Sequence, residues 1–297
     1  VGGRGNCPDK YCGYMPNQKE GMLPAARAAF MPMSDTRFDD LMPPAWNNNG
    51  LSQGTGSAAF LKGSNWGYYE GRMAVGIMGI GFGGTPSGMR IDLVDLAKDG
   101  KSVKSVVHLP TGLTKRFRGL RLGPDGALYI SEGVPCNVCD EDDQRYGTIL
   151  RLNNGVLDIF ADGVRNSVGF DWHPETKEMY FTDNGRDWMG DDIPPCELNR
   201  VSAKGDHFGF PYVHGKNIDD DAYKRPEDFQ YRKPIWEFQA HTAPLGIKFY
   251  SGESFPKYFK NGAFVAQHGS WNRSKKVGYK VEHPDFSKDK KGKAIIS

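Results

Sequence analysis

The stretch "GVRNSVGFDWHPETKEMYFTDNGRDWMGDDIPP" (163–195) sets an Arg-Asn pair, Arg165 and Asn166, ahead of one apolar strand and an oxygen-rich turn behind the next. The turn carries Asp183, Asn184, Asp187, Asp191 and Asp192 within ten residues, with glycines at 185 and 190. Hard cations such as Ca²⁺ take oxygens of this kind, including backbone carbonyls that tight turns expose. The spacing is not that of an EF-hand, and a Gly/Asp-rich β-turn without metal accounts for the same residues. Of the histidines, His241 and His268 stand near the start of predicted strands and are the candidates for proton transfer. His173 fills a turn position and is expected to be structural, and His207 and His214 lie in "GDHFGFPYVHG", where packing explains them. No H-E-x-x-H or P-loop pattern occurs, which disfavours the chemistries those motifs serve.

Short apolar runs ("ALYIS", "TILRL", "EMYFT", "AFVAQ") punctuated by 38 glycines and 19 prolines predict many short strands separated by turns. "LPAARAAF" near Leu23 is the one short helix expected. "RGLRLGPDGALYISEG" (118–133) aligns with "VGFDWHPETKEMYFTDNG" (168–185) at an offset of 50 residues. A longer echo relates 249–297 to 60–107, at close to four such units. Repeats of about 50 residues, each with the turns of a four-stranded sheet, predict an all-β fold, a six-bladed β-propeller with five to six blades within this chain. Residues 1–50 match no blade and are expected to be an N-terminal extension, with the propeller over 51–297. The last repeat stops at Ser297, where its counterpart runs on into "HLPTG", so either the native chain is expected to continue or the N-terminal segment closes the ring.

In a propeller the first strand of each blade lines the axis, so equivalent positions at its start converge on one funnel. Four residues before the repeat glycines stand Lys115, Arg165 and Thr242, with Gln53 as the fourth copy; Asn166 and His241 are their neighbours. This ring of cations, amides and an imidazole suits an anionic, planar, polyoxygenated ligand. Polar capping of strand ends at a wet mouth is the plainer alternative.

The 38 Lys and Arg against 36 Asp and Glu are interspersed, which gives no field for nucleic acid, and no apolar run approaches the length of a spanning helix. "VGGRGNCPDK" reads as a processed start rather than a signal sequence. Five cysteines, Cys7, Cys12, Cys136, Cys139 and Cys196, include two close pairs too far apart for a standard zinc pattern. Loop disulfides of an oxidising compartment are expected, with Cys196 unpaired or exchanging partners. "NRS" at Asn272 is a glycosylation sequon best explained by chance.

Four stretches, "GPDGALYISEGVPCNVCDEDDQRYGTILRLN", "GVRNSVGFDWHPETKEMYFTDNGRDWMGDDIPPCELNRV", "GDHFGFPYVHG" and "AHTAPLGIKFYSGESFPKYFKNGAFVAQHGSWNRSKKVGYKV", resemble the soluble, pyrroloquinoline quinone (PQQ) dependent sugar dehydrogenases, in their glucose/sorbosone dehydrogenase branch. The resemblance covers about residues 110–280. It implies a six-bladed propeller holding PQQ at its axial mouth, a Ca²⁺ bridging quinone to protein, and oxidation of a sugar or related hydroxyl by hydride transfer to the quinone. An external electron acceptor and a secreted or periplasmic location are implied with it. Residue by residue, Arg165 and Asn166 match the quinone-contacting pair, and Gly185 and Arg186 match the turn whose backbone carbonyls hold the calcium. Thr242 matches a cofactor-contacting hydroxyl, and Arg273 of "GSWNRS" lies near a cation that grips a PQQ carboxylate. The family's base histidine aligns with Lys115, and lysine serves as a base only where burial and Arg116 and Arg118 depress its pKa from about 10.4. Otherwise His241 takes the proton, or the propeller is an inactive extracellular binding or structural module.

Overall fold

The computed structural model describes residues 55–78, 89–100, 102–109, 117–270 and 272–284. Gln53, Lys115, the expected helix near Leu23, the extension over 1–50, and Cys7 and Cys12 lie outside the described residues.

The short strands form small antiparallel sheets in chain order. β1 (Thr55–Phe60), β2 (Met73–Ile77), β3 (Arg90–Leu96) and β4 (Val103–His108) make the first, and β5 (Phe117–Leu122), β6 (Leu128–Glu132), β7 (Thr148–Asn153) and β8 (Val156–Asp162) the second. β9 (Phe170–Trp172), β10 (Met179–Asp183) and β11 (Cys196–Val201) begin the third. Before it is completed, β12 (Asp206–His207) pairs in parallel with β8, and β13 (Val213–His214) and β14 (Ile218–Asp219) form a hairpin. β15 (Trp236–Phe238) then closes the third sheet on β11. β16 (Pro244–Phe249), β17 (Ala263–Gln267) and β18 (Lys280–Glu282) form the fourth. The fold is an all-β propeller, and the described residues hold four of the blades expected from the repeat.

Among the described residues the second and third blades each pack between two others, which buries apolar side chains on both of their faces. Leu93, Leu120, Ile130 and Leu150 fill the space between the first and second blades, and Phe170, Phe181, Ile149 and Val164 that between the second and third. Leu198, Phe238, Ile247 and Val265 join the third to the fourth. The inner strands β1, β5, β9 and β16 lie against one another in sequence.

The repeat glycines mark where those inner strands meet. A Cβ on Gly119 would lie 2.6 Å from the Val168 carbonyl, and one on Gly169 would overlap the Leu245 carbonyl oxygen. Each glycine therefore admits the backbone of the following blade, which is why it recurs at the 50-residue offset. Gly169→Ala is expected to cost about 3 kcal/mol, because backbone rather than a flexible side chain must give way; urea unfolding measures it. His173 is structural as expected, since its Nδ1 accepts from the backbone amides of Glu175 and Thr176, 3.2 Å each.

Candidate functional site

Arg165 and Asn166 follow β8 and precede β9, and one carboxylate sets their direction. Asp183, the last residue of β10, accepts the Arg165 amide at Oδ2 (2.8 Å) and the Asn166 amide at Oδ1 (2.6 Å). Burial pushes its pKa up to about 6, against the pull of these amides and of Arg165. Asp183 is thus a support for the pair.

The Arg165 side chain, 11% exposed, turns toward the next loop. Nη1 donates to the carbonyls of Asn184 (3.0 Å) and Gly185 (2.8 Å), while Nε and Nη2 donate to the Asn137 carbonyl (2.8 Å) and Oδ1 (2.9 Å). Asp187 Oδ2 lies 3.9 Å away. Burial lowers the Arg165 pKa, opposed by Asp187 and Asp183.

The turn from Asp183 to Asp192 gathers the other expected residues. His241, in the left-handed region at φ 64°, meets the Gly190 carbonyl through Nε2 at 2.8 Å and has Nδ1 3.6 Å from Asp187 Oδ1. With a carbonyl as partner, Nε2 carries the proton and Nδ1 the lone pair. Arg273 donates through Nη1 to the Asp191 carbonyl and through Nη2 to Asp192 Oδ1 (2.7 Å). Arg186 donates through Nε to the Asp187 carbonyl of the turn (3.2 Å) and reaches Asp220 (2.5 Å) and Asp221 (2.7 Å) through Nη1, which anchors the loop. Thr242 is 1% exposed, and its hydroxyl donates to the Gln239 carbonyl at 2.8 Å, so it braces the chain behind His241. His268 is exposed and stands outside this cluster. The buried Asn272 Nδ2 is not presented as a sequon requires.

Arg165, Asn166, Gly185, Arg186, His241, Thr242 and Arg273 are therefore brought to one turn and its supports, while Lys115 and Gln53 lie outside the described residues. Three buried polar atoms here have no hydrogen-bond partner among the described residues: Asn166 Oδ1, Asn184 Oδ1 and Arg273 Nε. A buried polar atom left unpaired costs roughly 1–3 kcal/mol, so these atoms represent binding capacity for a polar ligand. Close by, a cavity of about 10 Å³, room for a single water, is lined by Arg165, Asp183, Gly185, Glu197, Phe208 and His214.

Two contributions escape motif reading. Asn137, inside "CNVCD", clasps Arg165 and also bonds both backbone groups of Asp187. Glu197, on β11, accepts from the Gly215 amide (2.6 Å) and Asn199 Nδ2 (2.9 Å), and burial, with Asp183 beside it, pushes its pKa to about 8. Strand alternation places Glu197 and Asn199 on one face, but nothing local shows that the face is buried. Of the expected disulfides, Cys136–Cys139 is formed and Cys196 is free and buried. Cys136, Cys139 and Glu141 lie close enough for a metal, but the two sulfurs are bonded to each other.

Residues 198–296 match the family model described as TrAA12-like. An uncharacterized protein of Borreliella burgdorferi is 54% identical over 139 residues, 46% of this chain and 37% of that protein. The calcium structure of the Trichoderma reesei carbohydrate-active enzyme of family AA12 superposes with TM-score 0.58 at 18% identity, over 73% of this chain and 63% of that one. The holo PQQ domain of pyranose dehydrogenase from Coprinopsis cinerea does so with TM-score 0.56 at 16% identity, over 76% and 64%. The chain thus spans less than two thirds of the length of each. The fold they share is the propeller that the sequence resemblance implies.

Proposed function

We propose that this chain, a propeller that resembles the soluble PQQ-dependent sugar dehydrogenases and matches the TrAA12-like model over 198–296, oxidises a sugar or related hydroxyl with PQQ at the turn Asp183–Asp192. One observation carries the reading: Arg165, Asn166, His241 and Arg273, distant in sequence, meet at that turn with unspent buried polar atoms among them. A planar tricarboxylate quinone fits this chemistry. Arg165 and Arg273 place two guanidinium charges beside its oxygens; their Nη groups are engaged with protein acceptors, and Nε of Arg273 is left without a partner among the described residues. Asn166 and Asn184 offer amide groups whose oxygen and nitrogen exchange by a flip.

A calcium ion suits the same turn. The Gly185 carbonyl gives one lone pair to Arg165 and keeps a second, and Asn184 Oδ1 is a buried unpaired hard oxygen beside it. The Gly185 and Arg186 carbonyls would hold the ion, with the Arg186 side chain fixing the turn through Asp220 and Asp221.

Bound PQQ supplies the two-electron acceptor for the hydride of the sugar C–H. The protein's part is to take the hydroxyl proton. His241 holds Nε2–H on the Gly190 carbonyl, so the proton arrives at Nδ1, where the Asp187 carboxylate faces the imidazolium that results. Lys115 is the second candidate base. An external electron acceptor is the redox partner that this reading implies. The Cys136–Cys139 disulfide supports a secreted or periplasmic setting. Among the described residues no helix is long and apolar enough to cross a membrane.

Purified protein given PQQ and Ca²⁺ is expected to quench its tryptophan fluorescence on binding and to reduce a dye with at least one aldose. Chelation of calcium should weaken binding at least tenfold, and His241→Ala should lower kcat roughly 100-fold or more with binding retained. Absence of any PQQ binding would overturn the reading.

A further inference from the structure

Asn137 lies inside the smallest ring in the described chain, the loop closed by the Cys136–Cys139 disulfide at a sequence separation of 3. Four hydrogen bonds leave it. Its carbonyl accepts from Arg165 Nε (2.8 Å), and its Oδ1 accepts from Arg165 Nη2 (2.9 Å) and from the Asp187 amide (2.8 Å). Its Nδ2 donates to the Asp187 carbonyl (2.9 Å). One residue thus fixes the guanidinium on one side and the carboxylate-bearing turn on the other. These are the two groups whose relative placement gives the site its charge pattern.

Nothing regular holds the loop that carries Asn137. Between β6 and β7 the chain runs through bends and turns, with the Tyr212 hydroxyl on Asp140 (2.9 Å) as a side-chain tether. The covalent bond flanks Asn137 on both sides and removes the alternatives open to a free loop. The disulfide is also reachable: both cysteines are half-buried, and Cys139 lines a cavity of about 170 Å³ with Gln144, His207 and Tyr212.

We propose that Asn137 is a positioning residue for Arg165 and Asp187, and that the Cys136–Cys139 disulfide is its redox-sensitive support. A dithiol reductant delivers two electrons and two protons: the S–S bond breaks, two thiols form, and the reductant becomes a cyclic disulfide. The freed loop then releases Asn137, and Arg165 loses the two partners that direct its Nε and Nη2. The effect on Arg165 and Asp187 stands on geometry alone; the effect on cofactor binding rests on the PQQ reading above.

The test uses the whole chain, oxidised or treated with dithiothreitol, beside Cys136→Ser/Cys139→Ser and Asn137→Ala. Amide hydrogen exchange over 184–192 should quicken at least tenfold on reduction, with the first and fourth blades unchanged. PQQ should bind about tenfold more weakly. The double variant should behave as the reduced protein and no longer respond to the reductant, which separates this bond from Cys7 and Cys12. Asn137→Ala should reproduce both effects with the disulfide intact, as a positioning role requires. Unchanged exchange at 184–192, or a rise spread over all blades, would overturn the proposal. Should no form bind PQQ, the cofactor reading falls, and the exchange result still decides for or against the disulfide's role.

Discussion

Replacing Arg165 with Ala is expected to destabilise the protein by about 3 to 5 kcal/mol, the range for removing one member of a buried charged network. The guanidinium saturates four acceptors on two loops, the Asn137 carbonyl and Oδ1 and the carbonyls of Asn184 and Gly185. Its loss leaves the three carbonyls without that donor and Asn137 Oδ1 with the Asp187 amide alone, and removes the positive charge that Asp187 and the buried Asp183 face. Arg165→Lys should recover less than half of the deficit. An ammonium keeps the charge but cannot fork toward Asn137 and reach the Gly185 carbonyl together. Chemical unfolding of the three proteins checks this. A deficit for the Ala variant within 1 kcal/mol of wild type would mean that the loops hold their places without the guanidinium. PQQ binding should be lost in the Ala variant and weakened in the Lys variant.

The second large effect is a gain. Glu197→Gln should raise stability by about 2 to 4 kcal/mol at pH 8 and change it little at pH 5. Burial lifts the Glu197 carboxyl from 4.5 to about 8, so the folded state holds a proton that the unfolded chain releases. A raised folded-state pKa gives stability that is fully present below the unfolded value and is lost as pH rises through the folded one. For Glu197 that window is about pH 4.5 to 8, at roughly 1.4 kcal/mol per unit of separation. Asp183, lifted from 3.8 to about 6, adds a smaller loss of the same sign that ends by about pH 6. Glutamine is the neutral isostere. Its oxygen can keep the Gly215 amide, and its nitrogen can donate to Asn199 Oδ1, which has no partner among the described residues, once that amide flips. Stability measured from pH 5 to 8 should slope downward in the wild type and more gently in the variant. Parallel curves would show that Glu197 is ionised throughout.

Both effects belong to groups that the sequence ranks differently. Arg165 stands out because three copies of a repeat put a polar residue at its position, and repeat position is a local property that survives without knowledge of packing. Glu197 is one acid among 36 Asp and Glu. What distinguishes it is burial against elements that come later in the chain: the Gly215 amide of the β13–β14 hairpin meets its Oε1, and β15 pairs along the edge of β11. The aspartates of the turn show the same division. Their oxygens are plain in the sequence, but Asp183 caps the Arg-Asn pair and Asp187 faces His241 only because the chain entering β9, the end of β10 and the chain entering β16 come to the same place.

By itself the sequence determined the propeller. Strand alternation, turn residues and the repeat glycines recur at 50 residues, and each is a near-neighbour preference that every blade states again. It also singled out Arg165 and Thr242 as equivalent positions ahead of inner strands, since equivalent positions of a repeated unit share an end of the sheet; Lys115 and Gln53, the other two copies, lie outside the described residues. The tertiary structure decided how those residues are used. Arg165 is shared between Asn137 and the Gly185 turn, Thr242 is turned inward to Gln239, and Arg273 is spent on Asp191 and Asp192. Loops that carry no repeat meet there across 20 to 80 residues of chain, and a hydrogen bond is made or missed over a few tenths of an ångström. Spacing along the chain does not hold that information; the packing of one blade on the next does.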